Sequence, residues 1–490
     1  MGRIRKMIFI SCLLTVPGIT LYAQVKGTNL MEYQYGELPG DTAALSTFYD
    51  RAVVNYYTNS FRASVALEQF HTPYDNRNYL KLTQYSIQYH SDQLEVKIGN
   101  FYETIGRGVL LRSFEIPGAI LEDLSYRSRH YFNHDILGFV AKYRYKNFTT
   151  KAIYGRPLNY VFPPTQDEKS RRPDIIEAVY SDYSFKGQTV GASALRLTNA
   201  SGNKAYGMVT ATGNINPVVS YYTEFAKNIS NYAITDFSGQ SPYAFYGNIN
   251  LVFEKTGITA EYKKYNNFLL GSGINEPPAL VKEYSYKLLN RSTHVLQPVN
   301  ESGYQLEAYY TFKNLSTLTL NNTLAINDFG IRYVFQEYFA EYDFTINDRH
   351  DIKVFADYAE DPFALEEQRI SVGSLIEWKI FKVSNIKTEY EFQTFNRSGE
   401  SVQNHVLTIG YAWKSKFICS LIGEYSNDPF VTDGRSNKIW LGTNIKYQLN
   451  NENSIQLFAG QRRGGPACNA GICYEVLDFK GVEIRMTSRF

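Results

Sequence analysis

Four groups of residues in this 490-residue chain have types and spacings that could do chemistry. Cys468 and Cys473 flank Asn469-Ala470-Gly471-Ile472, and Gly471 lets so short a loop turn back. In an oxidising compartment the pair is expected to form a disulfide clip. Of the other two cysteines, Cys12 falls in the leader and Cys419 in a strand, where it reads as a small lipid-facing hydrophobe. His130 and His134 stand four apart with Asp135 adjacent, and on a helix they would share a face. RHYFNHD has no helical pattern and no third ligand follows at a recognisable spacing, so no metal site is assigned. Charges crowd between Asn100 and Asp135: Glu103, Arg107, Arg112, Glu115, Glu122, Asp123, Arg127 and Arg129. Opposed Arg and carboxylate groups of this kind are how pores select among solutes. The bland alternative is an extracellular hairpin with solvated charge. Two Arg pairs, Arg171-Arg172 and Arg462-Arg463, are placed to meet lipopolysaccharide phosphates or simply to solvate a loop. No G-x-S-x-G, H-E-x-x-H or phosphate-cradling Gly loop is present, so no catalytic residue, metal or cofactor is assigned and no enzyme is read.

The elements that must position these residues are strands. Gly481–Phe490 reads GVEIRMTSRF, with Val482, Ile484, Met486 and Phe490 on one parity and Glu483, Arg485, Thr487 and Arg489 on the other. Ile439–Leu449, Ile386–Thr394 and Tyr304–Lys313 alternate in the same way. Each run is about the 9–11 residues that a tilted membrane-crossing strand needs, longer than most soluble strands. The connections alternate in length. Gly464–Cys473, Asn427–Ser436, Asn396–Ser401, Asp361–Glu367, Asn266–Ser302 and Arg156–Asp174 are long or longer; Lys414–Lys416, Lys382–Ser384, Asn347–Arg349, Lys255–Gly257 and Lys146–Phe148 are tight. Loops at one end and turns at the other are the mark of a membrane barrel.

Composition agrees. Lys+Arg 50 against Asp+Glu 48 leaves +2, which implies no nucleic-acid field. The 41 Tyr suit surfaces that are apolar at one end and wet at the other. After the amino terminus no run of about 18 apolar residues appears, so transmembrane helices are not expected. The expected fold is all-β: one large transmembrane antiparallel up-and-down barrel of about 24 strands, within 22–26, over residues 24–490, starting near Gly27–Tyr35. Residues 1–23 read as a secretory signal peptide, with a basic Arg3-Ile4-Arg5-Lys6 start and a cut after Ala23. A lipoprotein anchored at Cys12 is disfavoured, because Met7–Ser11 is too short for its apolar region.

Two stretches are not plain strand. Residues 101–133 are expected to fold inward and constrict the lumen, with Glu103, Arg107, Arg112, Glu115, Arg127 and Arg129 at the narrowing. In the long extracellular loop 266–302, Asn275–Arg291 is expected to carry a short helix capped by Asn275, with Leu280, Tyr284 and Leu288 as its packing stripe, either as a lid or tucked into the mouth.

The leader, the Tyr-rich strands, the GNFYETIGRG segment, the NEPPALVKEYSYKLLNR loop and the terminal Phe490 together resemble an outer-membrane β-barrel family of Gram-negative bacteria whose function is unknown. The resemblance covers nearly the whole mature chain and assigns no site residue. It implies a porin- or transporter-like barrel without a TonB-type plug, with Phe490 as the assembly signal read by the barrel-assembly machinery, and with outer-membrane lipid and lipopolysaccharide as surroundings. Two functions follow as expectations: a channel or transporter for small solutes, or a non-transporting surface protein acting in secretion, adhesion or assembly.

Overall fold

The computed structural model describes residues 24–490 except 39–43, 124–127, 159–173, 232–234, 237–239, 272, 297–298, 348 and 470–471. The expected leader, Arg127, Arg171 and Arg172 lie outside the described residues.

Alternation decides the architecture. Ile370 and Val372 are 46% and 40% exposed on one face of their strand, while Arg369 and Ser371 on the other face are 0% and 1% exposed. Tyr33 and Tyr35 face out, and Glu32 and Gln34 face in. Apolar out and polar in reverses the pattern of a soluble sheet, and it suits a wall with lipid outside. No helix among the described residues is long and apolar enough to cross a membrane.

Among the described residues 24 strands form one antiparallel sheet. It closes because the first strand, Gln24–Glu37, pairs with Leu45–Tyr57 on one side and with the last strand, Phe479–Arg489, on the other. The closing register runs from Thr28 opposite Arg489 to Glu37 opposite Lys480. Closure removes the sheet edge, which lipid cannot hydrogen-bond. Phe490 continues the seam: the Gly27 amide donates to its carbonyl at 2.6 Å, and its own amide donates to Gly27 at 3.0 Å.

One end carries short turns, as at Lys146, Lys186-Gly187, Asn347 and Lys414-Ser415, all with positive φ. Residues 102–135, 267–300, 427–437 and 463–478 lie at the other. Asn396–Ser401 corrects the expectation of a longer loop. The strands run to Arg397 and resume at Glu400, joined by Ser398-Gly399 at φ 52° and 87°. Both turn residues are left-handed, the geometry a two-residue hairpin demands.

Residues 102–135 leave the wall. Leu94–Phe101 pairs directly with Ile136–Tyr145, Phe101 opposite Ile136. The excursion makes two small hairpins, Thr104–Ile105 with Leu111–Arg112 and Phe114–Asp123 with Ser128–His134. Residues 267–300 leave in the same way, with Tyr265 opposite Glu301 across the gap. Here the expected helix shrinks to Lys287–Arg291. Pro277 and Pro278 lack amide donors and disfavour helix before them, and Leu280 sits at φ 54°. Asn275 does not cap; its side chain bonds Leu270, Val109 and Phe268 instead.

Candidate functional site: an occluded lumen

Both excursions, the two inserts, pack against the inner wall of the barrel. Their backbones join each other: the Arg112 amide donates to Ile274 at 3.1 Å, and the Glu276 amide to Gly108 at 3.1 Å. Val109, Leu110 and Leu111 of the first insert share a buried apolar cluster with Phe268, Leu270, Ile274 and Leu280 of the second. Inward wall residues, Ile153, Ile176, Leu195, Leu197 and Met208, complete it. One arc of the lumen is therefore dry.

Elsewhere the wall holds the inserts by charge. Buried Glu32 pairs with Arg129 of the first insert, and Arg485 donates to the same carboxylate at 2.6 Å. Glu68 accepts the Tyr131 amide at 2.9 Å. Arg51 stacks over the Tyr131 ring at 3.6 Å. On the second insert, Tyr284 donates to Glu337 at 2.7 Å and Tyr286 to Glu341 at 2.6 Å. Glu391 accepts the Lys287 and Leu288 amides, each at 2.8 Å, so the wall caps the short helix. Arg291 closes it on Glu424 at 2.7 Å.

The fully buried Arg369 ties three wall carboxylates together, Glu337 at 2.8 Å, Glu366 at 3.0 Å and Asp357 at 3.3 Å, and donates to the Ser292 carbonyl at 2.9 Å. His294 lies on Phe335, ring centroids 4.5 Å apart, between Asp361 at 3.5 Å and Glu301 at 3.8 Å. Burial alone would push its imidazole down; the two carboxylates outweigh that and hold it above its usual value.

A third element spans both inserts. The hairpin Gly465–Asn469 with Ile472–Val476 sets Cys468 opposite Cys473, and Cys468 is disulfide-bonded. Asn290 exchanges two hydrogen bonds with the Cys468 backbone, at 3.0 and 3.1 Å. Tyr474 packs on Phe132 of the first insert, centroids 5.1 Å apart.

The candidates read from sequence occupy different surroundings. Glu103 is buried, paired with Lys142 and with Lys151 at 2.6 Å. Arg129 is buried on Glu32 and Glu122. Arg107 is exposed; its amide donates to Glu224 at 3.0 Å and its guanidinium lies 5.1 Å over the Tyr222 ring. Arg112 stands opposite Thr104 in the first small hairpin. Glu115 is exposed and accepts the Tyr131 hydroxyl at 3.1 Å. Glu103 and Arg129 thus anchor the insert to the wall. His130 and His134 lie on a strand, roughly 13 Å apart by strand rise. Arg462 donates to Glu483 and Arg463 to Asn404, each at 3.0 Å. Cys419 is free and partly exposed, beside outward Leu421. The wall acids went unread, because alternation marks them as inward without saying which insert residue each meets.

The fold and the inserts packed on its inner wall define a transmembrane-type β-barrel that holds two of its own connections inside. The chain belongs to a family of unknown function, DUF6029, whose model matches residues 43–167 and 237–359, about half of the chain. No curated protein matches it. Among solved structures it is similar to the P pilus usher (PapC) translocation pore, at 6% identity and TM-score 0.49, over 95% of this chain and 99% of that one. It is also similar to Pseudomonas aeruginosa OccK5 (OpdH), at 12% identity and TM-score 0.41, over 72% and 96%. Acinetobacter baumannii OccAB3 follows at 10% identity and TM-score 0.41, over 69% and 93%. No residue here takes a role from them.

Proposed function

We propose that this protein is an outer-membrane channel for small solutes, held shut by its two inserts. The observation that carries the reading is the mode of attachment. Each insert springs from adjacent wall strands that pair without it, and apart from the apolar arc it is held by hydrogen bonds and ion pairs that can exchange with water. The apolar outer face supports a place in the membrane, and the Phe490 seam supports assembly through the last strand.

Purified full-length protein in planar bilayers tests this. The wild type should show rare, small openings. Arg129→Gln with Arg291→Gln, which cuts one anchor of each insert, should raise the current. A folded barrel that passes no ions with both inserts excised would overturn the reading. One observation favours the surface-protein alternative: Phe329, Ile331, Phe363, Leu365 and Phe430 are all exposed at the loop-bearing end. A partner that stays bound in mild detergent and is lost on replacing these residues with Ser would favour it.

A further inference from the structure

Arg62, Gln88 and Lys97 lie side by side on the inner wall. Arg62 is opposite Gln88 in one pairing and Gln88 is opposite Lys97 in the next. All three point inward, since Phe61, Val65, Ile87 and Ile98 on the other parity are exposed to the outside. One strand separates the two cations, so their Cα atoms stand about 10 Å apart and the long side chains can converge on one group. The same cross-strand row continues as Val140, Ile153, Ala178 and Leu195, which are buried in the apolar cluster that the inserts form with the wall. Lys97 therefore marks the border where the insert stops covering the wall, and the three residues of the row are each partly exposed.

The charge of this row is not balanced from within. Arg62 donates to the Asn55 side chain at 3.0 Å and lies 5.1 Å over the Tyr57 ring. Among the described residues neither Arg62 nor Lys97 has a carboxylate in ion-pair contact. The charged groups facing Lys97 are Arg62, Glu103, Glu95 and Lys142. Both carboxylates are already engaged, Glu103 by Lys142 and Lys151 and Glu95 by Lys142 at 3.6 Å. The opposite arc differs: there Lys353 holds Asp343 at 3.1 Å, Lys379 holds Asp351 at 2.7 Å, and Lys387 holds Glu389 at 3.6 Å. Two partly desolvated cations of like sign favour a counter-charge. A guanidinium, an ammonium and a carboxamide N–H converging from one face match an oxyanion.

We propose that Arg62, Gln88 and Lys97 bind the carboxylate or phosphate group of a solute inside the barrel. Which solutes then cross rests on the channel reading; the binding itself does not. The test is calorimetric titration of the full-length barrel in detergent at low ionic strength with inorganic phosphate, and separately with acetate. The wild type should bind one of them saturably. Arg62→Gln with Lys97→Gln should weaken that binding about tenfold or more, while Arg62→Lys with Lys97→Arg should retain it. Equal affinity in the Gln double variant, or no saturable binding of either anion by the wild type, would overturn the proposal. A barrel that binds anions at this row yet passes no current with its inserts excised would remove the channel reading and leave the site standing.

Discussion

Arg369 gathers Glu337, Asp357 and Glu366 and reaches the second insert through the Ser292 carbonyl. Arg369→Met leaves buried Glu337 and Asp357 without their cation and Glu366 with Arg397 alone, at 3.4 Å, a loss of about 3–5 kcal/mol when a buried pair is broken. Chemical unfolding followed by tryptophan fluorescence should show that drop, and Glu337→Gln in the same background should recover part of it. At the seam, a Cβ on Gly27 would overlap the Phe490 ring. Gly27→Val should therefore displace the terminal aromatic and lower the yield of assembled barrel, with removal of Phe490 having a similar effect. Residue chemistry was partly legible. Alternation alone turned Glu389 and Glu391 inward and Tyr390 outward, as found. That Glu391 would cap a helix far away in the chain was not legible, because nothing local to either segment records the meeting.

Strands were the legible elements, since period-two patterning is carried by each segment alone. The second insert was harder: its apolar spacing mimicked a helical stripe, yet Leu280 and Tyr284 are buried in two separate clusters ahead of the short helix, and of the three only Leu288 lies in it. Spacing reports that side chains are hidden, not what hides them. The insert carries its own pH dependence through His294. Its folded value is raised above the ordinary 6.5, so the charged imidazole stabilises the docked insert fully below about 6.5 and ceases to do so as pH rises through the raised value. Arg369 near Asp361 and Lys263 on Glu301 temper the field but do not reverse it. Limited proteolysis within 267–300 should accelerate as pH is raised across that window, and His294→Gln should flatten the profile. A rate that rises equally in the variant would place the titration elsewhere.

A ring of 24 strands encloses far more space than side chains alone can fill, so the inserts are the molecule's answer to its own width. The wall's register runs unbroken past their roots: Phe101 meets Ile136 and Tyr265 meets Glu301. Short turns in place of 102–135 and 267–300 should leave a closed barrel. The two replacements are not independent. Val109, Leu110 and Leu111 keep only the wall as cover if the second insert goes, and Phe268, Leu270 and Ile274 keep only the wall if the first goes. Each set then forfeits part of the burial that held it, where full burial is worth roughly 1.5–3 kcal/mol per large side chain. Either single replacement should therefore loosen the remaining insert and raise bilayer current well above wild type, approaching that of the double replacement. If one insert alone still seals the lumen, with single and wild-type currents equal, the interlock between Arg112, Ile274, Gly108 and Glu276 is not what closes the barrel.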